Sequence, residues 1–360
     1  MSDLIDVSTV LARRQGAIGR LTVNRPEALN ALDLPMIRAM LTALDEWESD
    51  PAVTAVVLDG AGDRAFCAGG DIGVVHSSAV GDPVVARTLW REEYRLDARL
   101  ARYPKPVVAL MDGITMGGGI GIGAHAAVRV VTERSVLAMP EVAIGLAPDV
   151  GGALLLARAP GELGTHLALT AGRVGPGDAV HCGLADHHVP AGRLAPLVED
   201  LAAGAAPEAT VAKYAEDPGP APLAAARCWI DHVYGGATTV EHVLYRLEAI
   251  DEPGPREARA AITAAAPTAL KVTLRAVRQA RGMTSIEECL RQDFRLCSRF
   301  LAHPDLAEGI RAAILDKDRS PRWRPGTLAE VDDAAVEAFF APLDDELDLP
   351  EQSTLWSDHR

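Results

Sequence analysis

PKPVVALMDGITMGGGIGIGAHAAVRVVTERSVLAMPEVAIGLAPDVGG, residues 104–152, carries the pattern around which the 360-residue chain is organised. A short apolar run at 107–111 meets three glycines, Gly117, Gly118 and Gly119, and a small-residue helical segment with two further β-like runs follows. The stretch closes on two carboxylates, Glu141 and Asp149, set among proline and glycine. A strand that ends in glycine and opens a helix presents backbone N–H groups with no intrahelical partner, which suits an anion. Carboxylates downstream supply the groups that acid–base or nucleophilic chemistry needs.

A second stretch of the same kind lies upstream. A short buried-strand pattern at 53–58 runs through Gly60 and Gly62 into Cys67-Ala68-Gly69-Gly70-Asp71-Ile72. Backbone N–H groups from two such places, converging on one point, would make an oxyanion hole for a thioester or ester carbonyl. The plainer reading is two tight turns where only glycine fits. Neither segment is a nucleotide fingerprint, because no GxGxxG with a spaced acidic residue and no GxxxxGK[ST] occurs.

Outward from these segments, the alternation at 18–24 reads as a strand, and Asp33 caps a helix whose apolar residues recur up to Ser49. Two strand–glycine–helix units imply a mostly parallel sheet flanked by helices. Residues 74–85 read as a loop and 89–103 as a helix. That helix carries Glu92 and Glu93, whose ordinary place would be a solvated face. The apolar run at 154–170 reads as helical, and 183–189 as a last short strand. The Ala/Pro/Gly-rich stretch at 202–226 suggests a linker or a loosely packed helical connection, and helical periodicity resumes from Val240. Three regions are expected: a core at 1–200, a helical region at 201–325, and a tail at 326–360.

Composition narrows the partners. The net charge of −15 argues against nucleic acid bound by general electrostatics. The tail holds ten acidic residues against one basic residue, and reads as a solubilising, partly ordered extension. Five dispersed cysteines without CxxC spacing fit free thiols in a reducing compartment. No apolar run reaches the length of a membrane span and the N-terminus lacks a signal pattern, so a cytoplasmic protein is expected. His125 reads as a hydrogen-bonded packing residue, and His187-His188 lack a third ligand, so no metal site is expected.

Taken together, these segments resemble the crotonase (enoyl-CoA hydratase/isomerase) superfamily. The resemblance rests on NRPEALNAL (24–32), GAGDRAFCAGGDI (60–72), REEY (91–94), GITMGGGIG (113–121), AMPEVAIGLAPDVGG (138–152) and EGIRAAILDKDRSPRW (308–323). It covers about 18 to about 325, and the last segment points to the thioester-hydrolase branch. The resemblance implies an α/β fold of repeated ββα units with a helical C-terminal region over an acyl-CoA site. It implies an oxyanion hole from the Gly70 and Gly118 N–H groups, and a coenzyme path along Ala68, Gly69, Gly70 and Ile72. Glu93, Glu141 and Asp149 match acidic residues of the hydrolase site. Glu141 would attack as nucleophile or activate water, while Asp149 would orient the 3-hydroxyl of a short 3-hydroxyacyl group or assist proton transfer.

Where hydratases carry the first of two acid–base glutamates, this chain has Gly121. Losing one such group typically costs roughly 10²–10⁴-fold in rate, so hydrolysis is the stronger expectation. A hydratase/isomerase or a catalytically silent acyl-CoA binder is the alternative. No cofactor is implied beyond coenzyme A as part of the substrate. No nucleic-acid or membrane partner is expected, and a homo-oligomer is compatible with the family.

Overall fold

The computed structural model describes residues 4–7 and 9–349. Three N-terminal strands, β1 (Leu4–Val7), β2 (Val10–Gln15) and β3 (Ile18–Val23), form an antiparallel ribbon. Helix α1 (Leu34–Ser49), capped by Asp33 accepting from the Met36 N–H, returns the chain to β4 (Ala55–Gly60). The indole of Trp47 lies where a side chain on Gly19 would stand, which fixes α1 tightly on the sheet.

From β4 onward a unit recurs. A long strand is followed by a short strand of a second sheet and then by a helix. β4 leads to β5 (Ala65–Cys67), α2 (Ile72–Val80) and α3 (Pro83–Ala101). β6 (Val107–Met111) leads to β7 (Ile114–Met116) and α4 (Gly118–Ala124). β8 (Val128–Val131) leads to β9 (Val136–Ala138), a 3₁₀ turn at Glu141–Ile144 and α5 (Gly152–Arg158). Helix α6 (Leu163–Thr170), β10 (Arg173–Val174), α7 (Pro176–His181) and β11 (His187–His188) complete this part.

The large sheet has the order β1-β2-β3-β4-β6-β8-β11, parallel from β3 onward, and the small one β10-β9-β7-β5. A parallel sheet is buried on both faces. Accordingly Val56, Leu58, Val107, Ala109 and Met111 enter the main core, while Ala55, Val57, Val108 and Leu110 join a second cluster on the other face. α8 (Leu194–Ala202) and α9 (Pro207–Tyr214) cover that face through Leu197, Val198, Leu201 and Val211.

The remainder is helical: α10 (Pro222–Tyr234), α11 (Val240–Glu248), α12 (Pro253–Ala264), α13 (Pro267–Ala280), α14 (Ile286–Phe300), α15 (Pro304–Ile310) and α16 (Asp333–Phe340). α13 lies on α5 and α6, and α14 on α3.

Three sequence expectations change, and a fourth, open between a linker and a helical connection at 202–226, resolves to the helical one. Residues 74–85 are not a loop but most of α2 and the start of α3, because Asp71 and Asp82 each cap a helix start and Pro83 suits a first turn. The helical run at 154–170 is two helices broken around Pro160. The stretch 202–226 is largely helical, with proline opening α9 and α10. The tail is packed as far as Leu349: Val336, Phe339, Leu347 and Leu349 are in the main core. Its last residues, 350–360, lie outside the described part.

Candidate active site

The second-sheet strands β5, β7 and β9 end side by side, and each delivers one wall of the site. After β5, Leu32 pairs with Gly70 through the Gly69 carbonyl and the Asp71 N–H, so the N–H of Gly70 points to the opposite side. After β7, Gly118 is the first residue of α4 and its N–H has no intrahelical acceptor. The two meet: a Cβ on Gly118 would lie 3.2 Å from the Gly70 nitrogen, and one on Gly69 would lie 3.7 Å from the Gly118 nitrogen. After β9, Pro140 leads into the 3₁₀ turn that carries Glu141, whose Oε1 would be 3.2 Å from a Cβ on Gly117.

The wall opposite α4 is α3. Glu93 and Asp97 lie four residues apart on it, and Gly118 and Gly121 lie three apart on α4. These spacings align on facing helices. A Cβ on Gly118 would collide with Glu93 Oε1, and one on Gly121 would sit 2.8 and 2.9 Å from the Asp97 oxygens and 2.8 Å from the Val150 Cβ. Glycine is therefore required in α4 because two carboxyl groups of α3 occupy the space where side chains would begin.

Five carboxyl groups are buried here: Glu93, Asp97, Glu141, Asp149 and Asp293. Among the described residues, Glu93 Oε1, Glu141 Oε2 and both Asp97 oxygens have no hydrogen-bond partner. A buried carboxyl without donors favours its neutral form. Burial, with the Asp149 charge added, pushes Glu93 up to about 8. The same two causes hold Glu141 well above the carboxylate range. Asp97 is raised by burial and then by Glu93.

Asp149 is different. Tyr94 Oη donates to its Oδ2 at 2.7 Å, and Cys297 Sγ lies 3.6 Å from the same oxygen. Burial raises it, these donors oppose the rise, and it comes to about 6. Asp293 accepts from the Gly151 N–H at 2.8 Å and remains raised by burial.

Sequence reasoning singled out Glu93, Glu141, Asp149, Gly70 and Gly118, and the structure brings all five together. Ala68, Gly69 and Ile72 line the turn from β5 into α2 beside them. Glu92, by contrast, pairs with Arg95 at 3.5 Å. His125 is a packing residue, its Nε2 2.8 Å from the Val150 carbonyl oxygen. Asp97, Tyr94, Asp293 and Cys297 were missed as site residues. Only Asp97 had a readable signal, its spacing of four from Glu93. The others arrive through α14 or through packing between α3 and α14.

A cavity of about 570 Å³ between α11, α13 and α16 lies apart from this cluster. Its cations are engaged already, Lys271 with Glu241, Arg275 with Glu337, and Arg278 and Arg281 with Glu162. Among the described residues no cluster has the makings of a metal site, and no helix is long and apolar enough to cross a membrane.

Repeated ββα units closing on paired glycine N–H groups and buried carboxyls define a crotonase fold. The chain belongs to the enoyl-CoA hydratase/isomerase family, whose model matches residues 18–340. It is 40% identical over 352 residues to the mitochondrial 3-hydroxyisobutyryl-CoA hydrolase of Rattus norvegicus, covering 95% of this chain and 91% of that protein. The corresponding Gallus gallus protein is 38% identical over 356 residues, covering 93% and 89%. Among solved structures, a carnitinyl-CoA dehydratase from Mycobacterium thermoresistibile superposes with a TM-score of 0.91 at 47% identity, covering 94% of this chain and 98% of that one. An enoyl-CoA hydratase from Rhodobacter sphaeroides superposes with a TM-score of 0.87 at 44% identity, covering 93% and 98%.

Proposed function

We propose that the protein is a thioester hydrolase that cleaves 3-hydroxyisobutyryl-CoA to 3-hydroxyisobutyrate and coenzyme A, a step of valine catabolism. The observation that carries this reading is an Asp149 held by two side-chain donors and a Glu141 whose Oε2 has none, both beside two converging N–H groups. The thioester oxygen sits between the Gly70 and Gly118 N–H groups, where the positive end of α4 also helps to hold developing charge. Asp149, as the ionised group, takes a proton from water as the water oxygen bonds to the carbonyl carbon. The tetrahedral oxyanion then collapses, the C–S bond breaks, and neutral Glu141 protonates the leaving thiolate. Transfer of a proton from Asp149 back to Glu141 restores the resting site. Glu93 completes the polar end of the acyl pocket, and Ala68, Gly69, Gly70 and Ile72 guide the pantetheine and adenine. This reverses the emphasis expected from sequence, in which Glu141 was the attacking group or the base.

No cofactor enters these steps. The curated relatives, at 38% and 40% identity over nearly the whole chain, support the substrate. Those relatives are named mitochondrial. For this chain the free thiols fit a reducing compartment, and the cytoplasmic reading is one that cell fractionation would test.

The test is thiol release from 3-hydroxyisobutyryl-CoA. Glu141→Gln and Asp149→Asn should each lose at least about 10²-fold, and unchanged release in either would remove that residue from the mechanism. Hydration is the second reading, favoured by the Asp97 carboxyl standing where a side chain at Gly121 would begin. Loss of crotonyl-CoA absorbance without thiol release, abolished by Asp97→Asn, would establish it in place of hydrolysis.

A further inference from the structure

We propose that Tyr94 and Cys297 are positioning residues that hold Asp149 as the ionised member of the buried carboxyl cluster. The three side chains form a closed triangle. Tyr94 Oη is 2.7 Å from Asp149 Oδ2 and 3.2 Å from Cys297 Sγ, and Cys297 Sγ is 3.6 Å from Asp149 Oδ2. Tyr94 comes from α3, Cys297 from α14, and Asp149 from the segment before α5. The Tyr94 ring is fully buried and packs edge-on against Phe294, with centroids 6.4 Å apart. Its hydroxyl therefore has little freedom to turn elsewhere.

The charge has to be placed by donors, because no cation does it. On α3, Asp149 faces Glu93 and Asp97, on the 3₁₀ turn Glu141, and on α14 Asp293, which Cys289 faces in turn. His125, at the end of α4, is kept neutral by burial, which lowers it to about 4. Arg87 and Arg91 stack on the Phe294 ring, at 5.8 and 4.6 Å from its centroid, and pair with Asp345, while Arg158 on α5 acts on His125 and Cys289. Among the described residues no Lys or Arg pairs with Asp149.

A phenol and a thiol each offer one proton. If Asp149 is ionised, both can point at it or pass along the triangle toward it. If it is neutral, either one of them must turn to accept the proton on Oδ2, or the proton sits on Oδ1 and both bonds weaken because their acceptor is no longer charged. Two side-chain donors on one oxygen thus favour the anion at Asp149, while Glu141, with Oε2 unpartnered, keeps its proton. Tyr94 and Cys297 need not touch substrate. They act through Asp149 by deciding which of several close carboxyls carries the charge.

The kinetic test rests on the hydrolase reading and follows thiol release from 3-hydroxyisobutyryl-CoA between about pH 5 and about pH 9, spanning the acid limb of an essential base. In Tyr94→Phe the acid limb of kcat/KM should move up by about one to two pH units, since a hydrogen bond to the charged form is lost. The plateau should be largely recovered at high pH. Cys297→Ala should move the limb up by less, and Cys297→Ser, a stronger donor of similar shape, should return it. A uniform loss at every pH with the limb unmoved would overturn the proposal and leave a packing role only.

A second measurement does not need turnover. Infrared difference spectra against Asp149→Asn isolate the Asp149 carboxylic acid band, which should persist to higher pH in Tyr94→Phe and Cys297→Ala than in the parent. Titration at the same pH in all three proteins would overturn the proposal even if the thioester proved to be a different one.

Discussion

Asp97 and Gly121 share one place. The Asp97 oxygens stand 2.8 and 2.9 Å from where the Cβ of residue 121 would be. Gly121→Ala should destabilise the protein by about 1–3 kcal/mol through overpacking, read by urea denaturation. An unchanged midpoint would mean that α3 can withdraw from α4. Asp97 also makes a pH prediction. Its folded form keeps its proton well above the ordinary range, whereas the unfolded residue loses it near about pH 3.9. The native state then binds more protons than the unfolded one, so this group's contribution to stability falls as pH rises above about 4. Asparagine has no proton to lose. The melting-temperature advantage of Asp97→Asn over the parent should therefore grow between pH 5 and pH 8, and a constant difference would show that Asp97 ionises in the fold.

Helices α3 and α14 together supply most of the acid cluster and all of its side-chain donors to Asp149. Phe294 links them, with its ring against Tyr94 and Arg91 stacked 4.6 Å from its centroid. Phe294→Ala should cost about 3–5 kcal/mol, as for other buried aromatics, and calorimetry would measure it. A loss under about 1 kcal/mol would show that the two helices are held elsewhere. Much of this level was legible beforehand. The strand–glycine–helix units, the Asp33 cap and the helix bearing REEY follow from local periodicity and capping chemistry. Helix α2 was not legible. Gly73, Ser77 and Ser78 make it a poor helix on propensity, and its contacts with α3 and α15 stabilise it.

As far as Leu349 the acidic tail packs on the molecule instead of trailing from it. Arg91 pairs with Asp345 at 2.6 Å and donates to the Glu346 carbonyl at 2.8 Å, and Arg295 pairs with Glu346 at 2.8 Å. Leu347 and Leu349, next along the chain, are buried in the main core. Arg91 is on α3 and Arg295 on α14, so the tail clasps the two helices that frame Asp149. Ending the chain after residue 326 should lower the melting temperature and reduce thiol release. A truncated protein with parental melting and rate would return the tail to a solubilising role. Exposed pairs are weak individually, so the loss should come mainly from the buried leucines and Phe339, and added salt should not reproduce it.

Local rules in the residue order (period, capping, turn chemistry and an anion-ready helix start) were enough for the strand–glycine–helix units, the two glycine turns and Glu141 and Asp149 as candidate carboxylates. The ββα repeat and the place of Glu93 came from the family resemblance, since by local rules Glu93 belongs on a solvated face. Which carboxyl is charged could not be read that way. That choice rests on Tyr94 and Cys297, 203 residues apart, meeting one oxygen of Asp149. Ionisation in a buried cluster depends on donors, burial and neighbouring charge in three dimensions, and only the packing of α14 on α3 brings them together.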